Sequence, residues 1–348
     1  MSNLSDAEKS GEASASRWKA LVSEFQKPSL KRSLWQIINS VGGYVLAWVL
    51  IYFSLGVSYW LTVPLVIVAG GLLVRIFIIF HDCTHSSFFQ SRRANELIGF
   101  ITGVLSFTPY HHWKWEHSIH HAHSGDLDGR GLGDVWTLTV EEYLAASRMT
   151  RLRYRLNRHP IVLFVIAPIV LFLILHRIPS SKASPKAKAS VHYTNLAIVG
   201  LGIGLSLVFG WQTYLVLQLS ILFIGAAAGV WLFYIQHQFE GVAWERNEEW
   251  DFAEAALQGS SFYKLPKILQ WFSGNIGFHH IHHLSPRIPN YHLEKCHDSD
   301  ELFKSIPPVT LATSLKSFNF RLWDEKNRQL VGFGHVRHMK REPAETVS

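Results

Sequence analysis

Apolar residues are gathered into a few long runs separated by polar stretches. This pattern predicts membrane-crossing helices rather than the 3.6-residue stripe of helices packed around a soluble core. From Leu34 to Phe80 the only charged residue is Arg75, and Gly56–Trp60 supplies a turn in the middle. That length holds two crossings of about 20 residues each. The predicted spans are Trp35–Leu55, Leu61–Phe80, Tyr193–Gly210 and Tyr214–Tyr234. Arg75 lies near the end of the second, where its side chain is expected to snorkel to the headgroups. Leu97–Tyr110 and Ile161–Leu175, the latter interrupted by Pro168, are too short for full spans and read as interfacial or re-entrant segments. Arg177, Lys182, Lys186 and Lys188 make the following loop basic, which favours keeping it in the cytosol.

The expected fold is therefore an all-α integral membrane protein. It has about four transmembrane helices, short interfacial or re-entrant segments, and a cytosolic histidine-rich helical cap. Four crossings place both termini and every histidine cluster on the cytosolic side of the cell membrane; making Ile161–Leu175 a fifth would put His237 and His117 on opposite faces. The chain divides into a cytosolic tail with an amphipathic segment (1–32), a membrane domain with its cap (33–323) and a polar C-terminal tail (324–348).

Composition narrows the function. The 348 residues are 48% hydrophobic with a formal net charge of +7. The basic balance suits an anionic lipid surface; no zinc finger, basic zipper or interleaved basic and aromatic stripe accompanies it, so no nucleic-acid partner is expected. Cys83 and Cys296 alone provide neither a disulfide framework nor a Cys-based metal centre. The start of the chain carries acidic residues and no apolar run behind a basic one, unlike a signal peptide. No P-loop, dinucleotide fingerprint or internal repeat occurs.

The chemistry lies in twenty histidines. His81 and His85 follow the second predicted span, four residues apart and so on one face if the helix continues. His117, His120 and His121 have i, i+3, i+4 spacing, and His279, His282 and His283 repeat it. His237 ends the last apolar run on the same predicted membrane face. Nine imidazoles exceed what one ion needs, so two metals are expected; imidazole suits Zn, Cu, Fe and Ni. His111, His112, His123 and His280 fall off the repeated spacing. His159, His176, His192, His297, His335 and His338 read as surface residues, as with less force does His292. Asp82, Glu116, Asp126, Asp128, Asp134, Glu240 and Glu245 are candidates to accept the second N–H of a ligand imidazole. Asn275, four residues before His279, is a candidate to hold a metal-bound water from the same helical face.

The segments His81–Asp82–Cys83–Thr84–His85, His117–Ser118–Ile119–His120–His121 and His279–His280–Ile281–His282–His283 resemble the three histidine boxes of membrane fatty acid desaturases. The likeness runs from about Ser33 to Trp323 and is strongest to the bacterial acyl-lipid group, which contains omega-6 or delta-12 enzymes and the delta-5 enzyme of bacilli. The resemblance implies a cytosol-facing di-iron centre with His81, His85, His117, His120, His121, His279, His282 and His283 as ligands and His237 as an additional one. It also implies a lipid acyl substrate, dioxygen and an external electron donor. The HPGG haem-binding sequence is not in the chain, which points to a separate ferredoxin or similar carrier.

An unactivated methylene has no acidic proton for a histidine base, so the metal must supply the oxidising chemistry while the protein places one carbon pair beside it. Phe80, Phe88, Phe89, Trp113, Trp115, Phe272 and Phe278 are candidates to line an acyl tunnel or simply to pack the interface. Related hydroxylases carry similar boxes and differ by adding oxygen to the product. A metal transporter or sensor would need an ionisable path through the bilayer, which these spans do not offer.

Overall fold

The structure is a computed structural model describing residues 17–339; the outer parts of the two expected tails, 1–16 and 340–348, lie outside the described residues. A short helix, α1, occupies 17–23. Four helices are long and apolar enough to cross a membrane: α2 (Leu30–Leu55), α3 (Tyr59–Thr84), α8 (Pro185–Phe209) and α9 (Trp211–His237). Between α3 and α8 run α4 (Arg92–Leu105), α5 (Tyr110–His123), α6 (Arg148–Asn157) and α7 (Val162–Arg177). The α6–α7 pair is bent by 60° and forms either a broken span or a re-entrant loop. The short segment expected over Ile161–Leu175 is thus present as half of a kinked unit.

Local signals explain the helix ends. Ser58 Oγ accepts from Trp60 N at the start of α3, and Ser184 Oγ accepts from Ala187 N at the start of α8, where Pro185 costs nothing because its N–H would be unpaired anyway. Gly210, at φ +77°, makes the left-handed turn from α8 into α9. The outer surface of the bundle is apolar: Leu196, Val199, Ile203 and Leu207 of α8 are all exposed, as expected of a face in contact with lipid tails.

Helix α3 is the central element, packing on α2, α4 and α9. Its close approach to α9 depends on small residues, since a Cβ on Gly70 would lie 2.5 Å from Ile224 Cγ2 and one on Gly225 3.1 Å from Gly70 O. Ile51, Ala69, Ile76 and Ile221 are completely buried in the core that results. Arg75 does not snorkel. It is buried, with Nη1 donating to Trp271 O, Nε to Asn39 Oδ1 and the guanidinium 4.1 Å from the Trp271 ring centre, because α11 (Lys267–Phe272) covers that side of α3.

The spans overrun their predicted limits. Helix α2 begins at Leu30 rather than Trp35, α3 continues to Thr84 rather than Phe80, and α9 to His237 rather than Tyr234. Ser33, His81, Asp82, Thr84, Gln236 and His237 at these ends are buried, where bare lipid would leave them unsatisfied, while Lys31 and Arg32 stay exposed. The cap contains α10 (Phe252–Gln258), α11, α12 (His279–Leu284) and α13 (Asn290–His297). It also holds two small sheets that the sequence did not predict. Strand β1 (Leu138–Thr139) runs parallel to β4 (Leu322–Asp324), which pairs antiparallel with β5 (Gln329–Val331); β2 (Phe262–Tyr263) runs parallel to β3 (Pro308–Val309). Gly70→Ala should destabilise the protein by about 1–3 kcal/mol through overpacking of α3 on α9. A thermal midpoint in detergent unchanged from wild type would contradict this packing.

Candidate metal centre

The nine singled-out histidines come together as two clusters. His81, His85, His117, His121 and His282 form one; His120, His237, His279 and His283 form the other, and within each cluster one ligand-capable atom per residue lies within 4.8 Å of all the others. His81 is in the last turn of α3 and His85 caps it; His237 ends α9. The other six sit on the short helices α5 and α12; α5 packs on the span α8, and α12 packs on α10 and α13 of the cap.

The two HxxHH boxes do not each serve one cluster. In α5 the i and i+4 positions, His117 and His121, belong to the first cluster, while i+3, His120, belongs to the second. In α12 the assignment is reversed: His279 and His283 join the second and His282 the first. At 3.6 residues per turn, i+4 lies about 40° to one side of i and i+3 about 60° to the other. A box aimed between two centres therefore splits two-to-one, and opposing boxes split in opposite senses.

The nitrogens point inward. In the second cluster His237 Nε2 lies 3.1 Å from His120 Nε2 and 3.0 Å from His279 Nε2; in the first, His121 Nε2 lies 3.1 Å from His117 Nε2 and 3.0 Å from His282 Nε2. Two nitrogens each about 2.1 Å from one ion and at right angles to each other are about 3.0 Å apart. His85 Nε2 and His283 Nε2, one in each cluster, are buried without a hydrogen-bond partner among the described residues.

The tautomers fit the same arrangement. His120 Nδ1–H donates to Asp134 Oδ1 at 2.6 Å and His237 Nδ1–H to Gly259 O at 3.3 Å, which turns the two Nε2 atoms toward each other. A cation bound between them would be held by both nitrogens. In the first cluster His81 Nδ1–H donates to Asp82 Oδ1 at 3.2 Å. Burial, reinforced by the neighbouring imidazoles, pushes His85, His117, His121, His279, His282 and His283 well below the usual histidine range, keeping the rings neutral as metal binding requires.

Of the seven candidate carboxylates, only Asp82 and Asp134 reach a clustered histidine. Glu116 lies beside His112 and Asp126 beside His123, whereas Asp128, Glu240 and Glu245 pair with Arg246, Lys316 and Arg328. Asn275 is not on the face of His279. It stands in a left-handed turn at φ +60° before α12 begins, its Oδ1 accepting from Gln270 Nε2 and its Nδ2 donating to Asn290 O. Two histidines expected at the surface are buried: His297, whose Nδ1 is 3.1 Å from His280 Nε2, and His176, packed on Phe172. The side chain of His338 lies outside the described residues.

Among the aromatic candidates, Trp113 stacks on His117 with centroids 4.1 Å apart, and Phe80, Phe88 and Phe89 share a cluster with it. Trp115 lies against His112, Phe272 against Gly71, and Phe278 against Phe262. Phe233, absent from those candidates, has its ring 5.2 Å from His120 and 5.3 Å from His237. Its place one turn before His237 is the signal in the sequence that could have found it.

This fold and site define a multi-pass membrane protein built around two histidine clusters, each able to coordinate a metal. Residues 58–309 match the family described as fatty acid desaturase, and the chain belongs to that family. It is 52% identical over 318 residues, covering 91% of its own length and 90% of the relative's, to a fatty acid desaturase of Bacillus subtilis (strain 168). It is 28% identical over 258 residues, 70% of each chain, to the sn-1 oleoyl-lipid 12-desaturase of a Synechocystis species. With the sn-1 acyl-lipid omega-3 desaturase (ferredoxin) of a Nostoc species the identity is 26% over 289 residues, 79% of this chain and 77% of that one. The protein is a membrane-embedded desaturase, an oxidoreductase, with paired histidine clusters consistent with a di-iron active site.

Asp134→Asn should lower metal affinity about 10- to 100-fold by releasing the His120 ring, measured as metal content after chelator challenge. Because the buried imidazoles titrate lower in the folded chain than in the unfolded one, the unfolded chain binds more protons below about pH 6.5. Stability of the metal-free protein should be fully present above that pH and decline as pH falls through it, read as a thermal midpoint lower at pH 5.5 than at pH 8.

Proposed function

We propose that the chain introduces a cis double bond into an acyl chain of a membrane lipid, using dioxygen and electrons from an external carrier of the ferredoxin type. His81, His85, His117, His121 and His282 hold one iron, and His120, His237, His279 and His283 hold the other. The observation that carries this reading is the convergence of Nε2 atoms at 3.0–3.1 Å around two points in one buried cap. The lipid substrate and the carrier are read from the names of the cyanobacterial relatives.

Two irons, when bound, supply the activation of dioxygen and the removal of two hydrogens from adjacent methylenes, which no side chain here performs alone. The protein's own work is positional. Asp82, Asp134 and the Gly259 carbonyl fix His81, His120 and His237 as Nε2 donors. Trp113 and Phe233 press on the rings of His117, His120 and His237 and keep water from that side of the clusters. The cap lies on the cytosolic face, as do both termini, because the basic residues Lys182, in the loop before α8, and Lys186 and Lys188, in its first turns, lie on the same side.

Expression in a host with saturated membrane lipids should yield new monounsaturated acyl chains, with the bond located by mass spectrometry of the intact lipids. His120→Ala should abolish the product while leaving membrane insertion intact. Products carrying an added oxygen and no double bond would make the enzyme a hydroxylase instead.

A further inference from the structure

Behind His81 lies a buried chain of amides that ligand spacing does not explain. Asp82 Oδ1 accepts from His81 Nδ1, and Asp82 Oδ2 accepts twice from one residue, at 2.7 Å from Asn290 N and 2.8 Å from Asn290 Nδ2. Asn290 is in turn paired reciprocally with Gln36: its Oδ1 accepts from Gln36 Nε2 at 2.9 Å and its Nδ2 donates to Gln36 Oε1 at 3.2 Å. Gln36, Asp82 and Asn290 are at most 3% exposed.

This arrangement uses both donor positions of the Asn290 amide and one acceptor position of its oxygen. One Nδ2 hydrogen goes to the carboxylate and the other to Gln36, while Oδ1 takes the Gln36 donor. Asn290 is the first residue of α13, so its backbone N–H, which has no partner within its own helix, also points at the carboxylate. Asp82 is buried and, among the described residues, its ion pair is with His81 and with no Lys or Arg. Its carboxylate accepts from three N–H donors and, through the His81 ring, faces whatever cation the cluster binds. The first membrane span, through Gln36, and the C-terminal part of the cap, through Asn290, thus meet at one histidine.

We infer that Asn290 and Gln36 are positioning residues for the first metal site, acting through Asp82 on the orientation and donor strength of His81. The inference rests on the assignment of His81 as a metal ligand proposed above. Asp134, behind His120, has no comparable clamp among the described residues: its second oxygen accepts the Gly131 backbone N–H, at 3.1 Å, from an exposed loop. The Asn290–Gln36 pair therefore tunes one site and leaves the other alone.

The test is titration of the metal-free full chain in detergent with cobalt(II), following the visible ligand-field bands. Wild type should bind two equivalents. Asn290→Ala should weaken one of them by about 10- to 100-fold and spare the other, with Gln36→Ala producing a smaller loss at the same site. Asp134→Asn should weaken the opposite equivalent, which identifies the two. The decisive comparison is non-additivity: Asp82→Asn/Asn290→Ala should bind no more weakly than Asp82→Asn alone. Asn95→Ala, at an equally buried amide outside the network, should lower the thermal midpoint without moving either equivalent. If Asn290→Ala does not insert, Asn290→Ser and Gln36→Ala carry the same comparison. The inference is overturned if the losses at Asp82 and Asn290 add, or if both equivalents weaken together. Wild type binding fewer than two equivalents would instead refute the ligand assignment itself.

Discussion

Nine clustered imidazoles, seven of them buried and two half-buried, with ring nitrogens converging on two points impose the condition that the rest of the structure meets. An imidazole accepting a hydrogen bond, or carrying a proton, can be left in water at little cost. One buried beside another with both acceptor nitrogens turned together cannot, because the protein interior screens the repulsion poorly and offers no solvent proton. Protonating the rings would exchange that repulsion for several buried positive charges with only Asp82 and Asp134 in contact with them. A bound cation at each cluster resolves both difficulties at once, so the metal is part of what makes this arrangement of the cap favourable.

That condition explains why the clusters interleave. A single helix carrying three histidines at i, i+3 and i+4 cannot aim all three at one point without straining a side chain, because the outer two positions diverge by about 100° around the axis. Setting α5 and α12 face to face, with two centres between them, lets every ring reach a centre in an ordinary conformation. Each cluster then takes histidines from both helices and from the end of a span, His81 and His85 at the end of α3 for one and His237 on α9 for the other. Neither site can form until the bundle, the cap and the loop between them have all been assembled. The close α3–α9 contact at Gly70 and Gly225 consequently bears on the spacing of the clustered histidines as well as on membrane packing.

Much of this is legible in the sequence, for identifiable reasons. Spans are visible because an unbroken run of roughly 20 apolar residues has little use outside a bilayer, and the clustered histidines because two copies of one unusual spacing are hard to produce by surface decoration. What escapes depends on partners distant in sequence. Strands of two or three residues are too short to show alternation, and β1 pairs with a segment more than 180 residues away. Arg75 has the sequence surroundings of a snorkelling residue because nothing nearby reveals that α11 folds over it. Helical arithmetic puts Asn275 on a helix that has not yet started, since the turn at Gly274 and Asn275 breaks the phase. His176 and His297 lack ligand spacing and so resemble surface residues, yet the end of α7 buries the first and the cap the second, though they belong to neither cluster.

The carboxylates show the limit of local reading most clearly. Seven are candidates by proximity in sequence, and the two that act are distinguished by what stands behind them. Asp134 is fourteen residues from His120 and reaches it because the loop after α5 doubles back; Asp82 adjoins His81, and nothing would set it apart but for Asn290, 208 residues away. A carboxylate that only touches a ligand can swing, and its effect on the ring averages away over its rotamers. One held by two donors from a single asparagine, itself locked to the first span, presents a fixed charge at a fixed angle. The two metal sites are thus close to equivalent in their imidazoles and unequal in the rigidity of what supports them, a difference written entirely in residues that contact no metal.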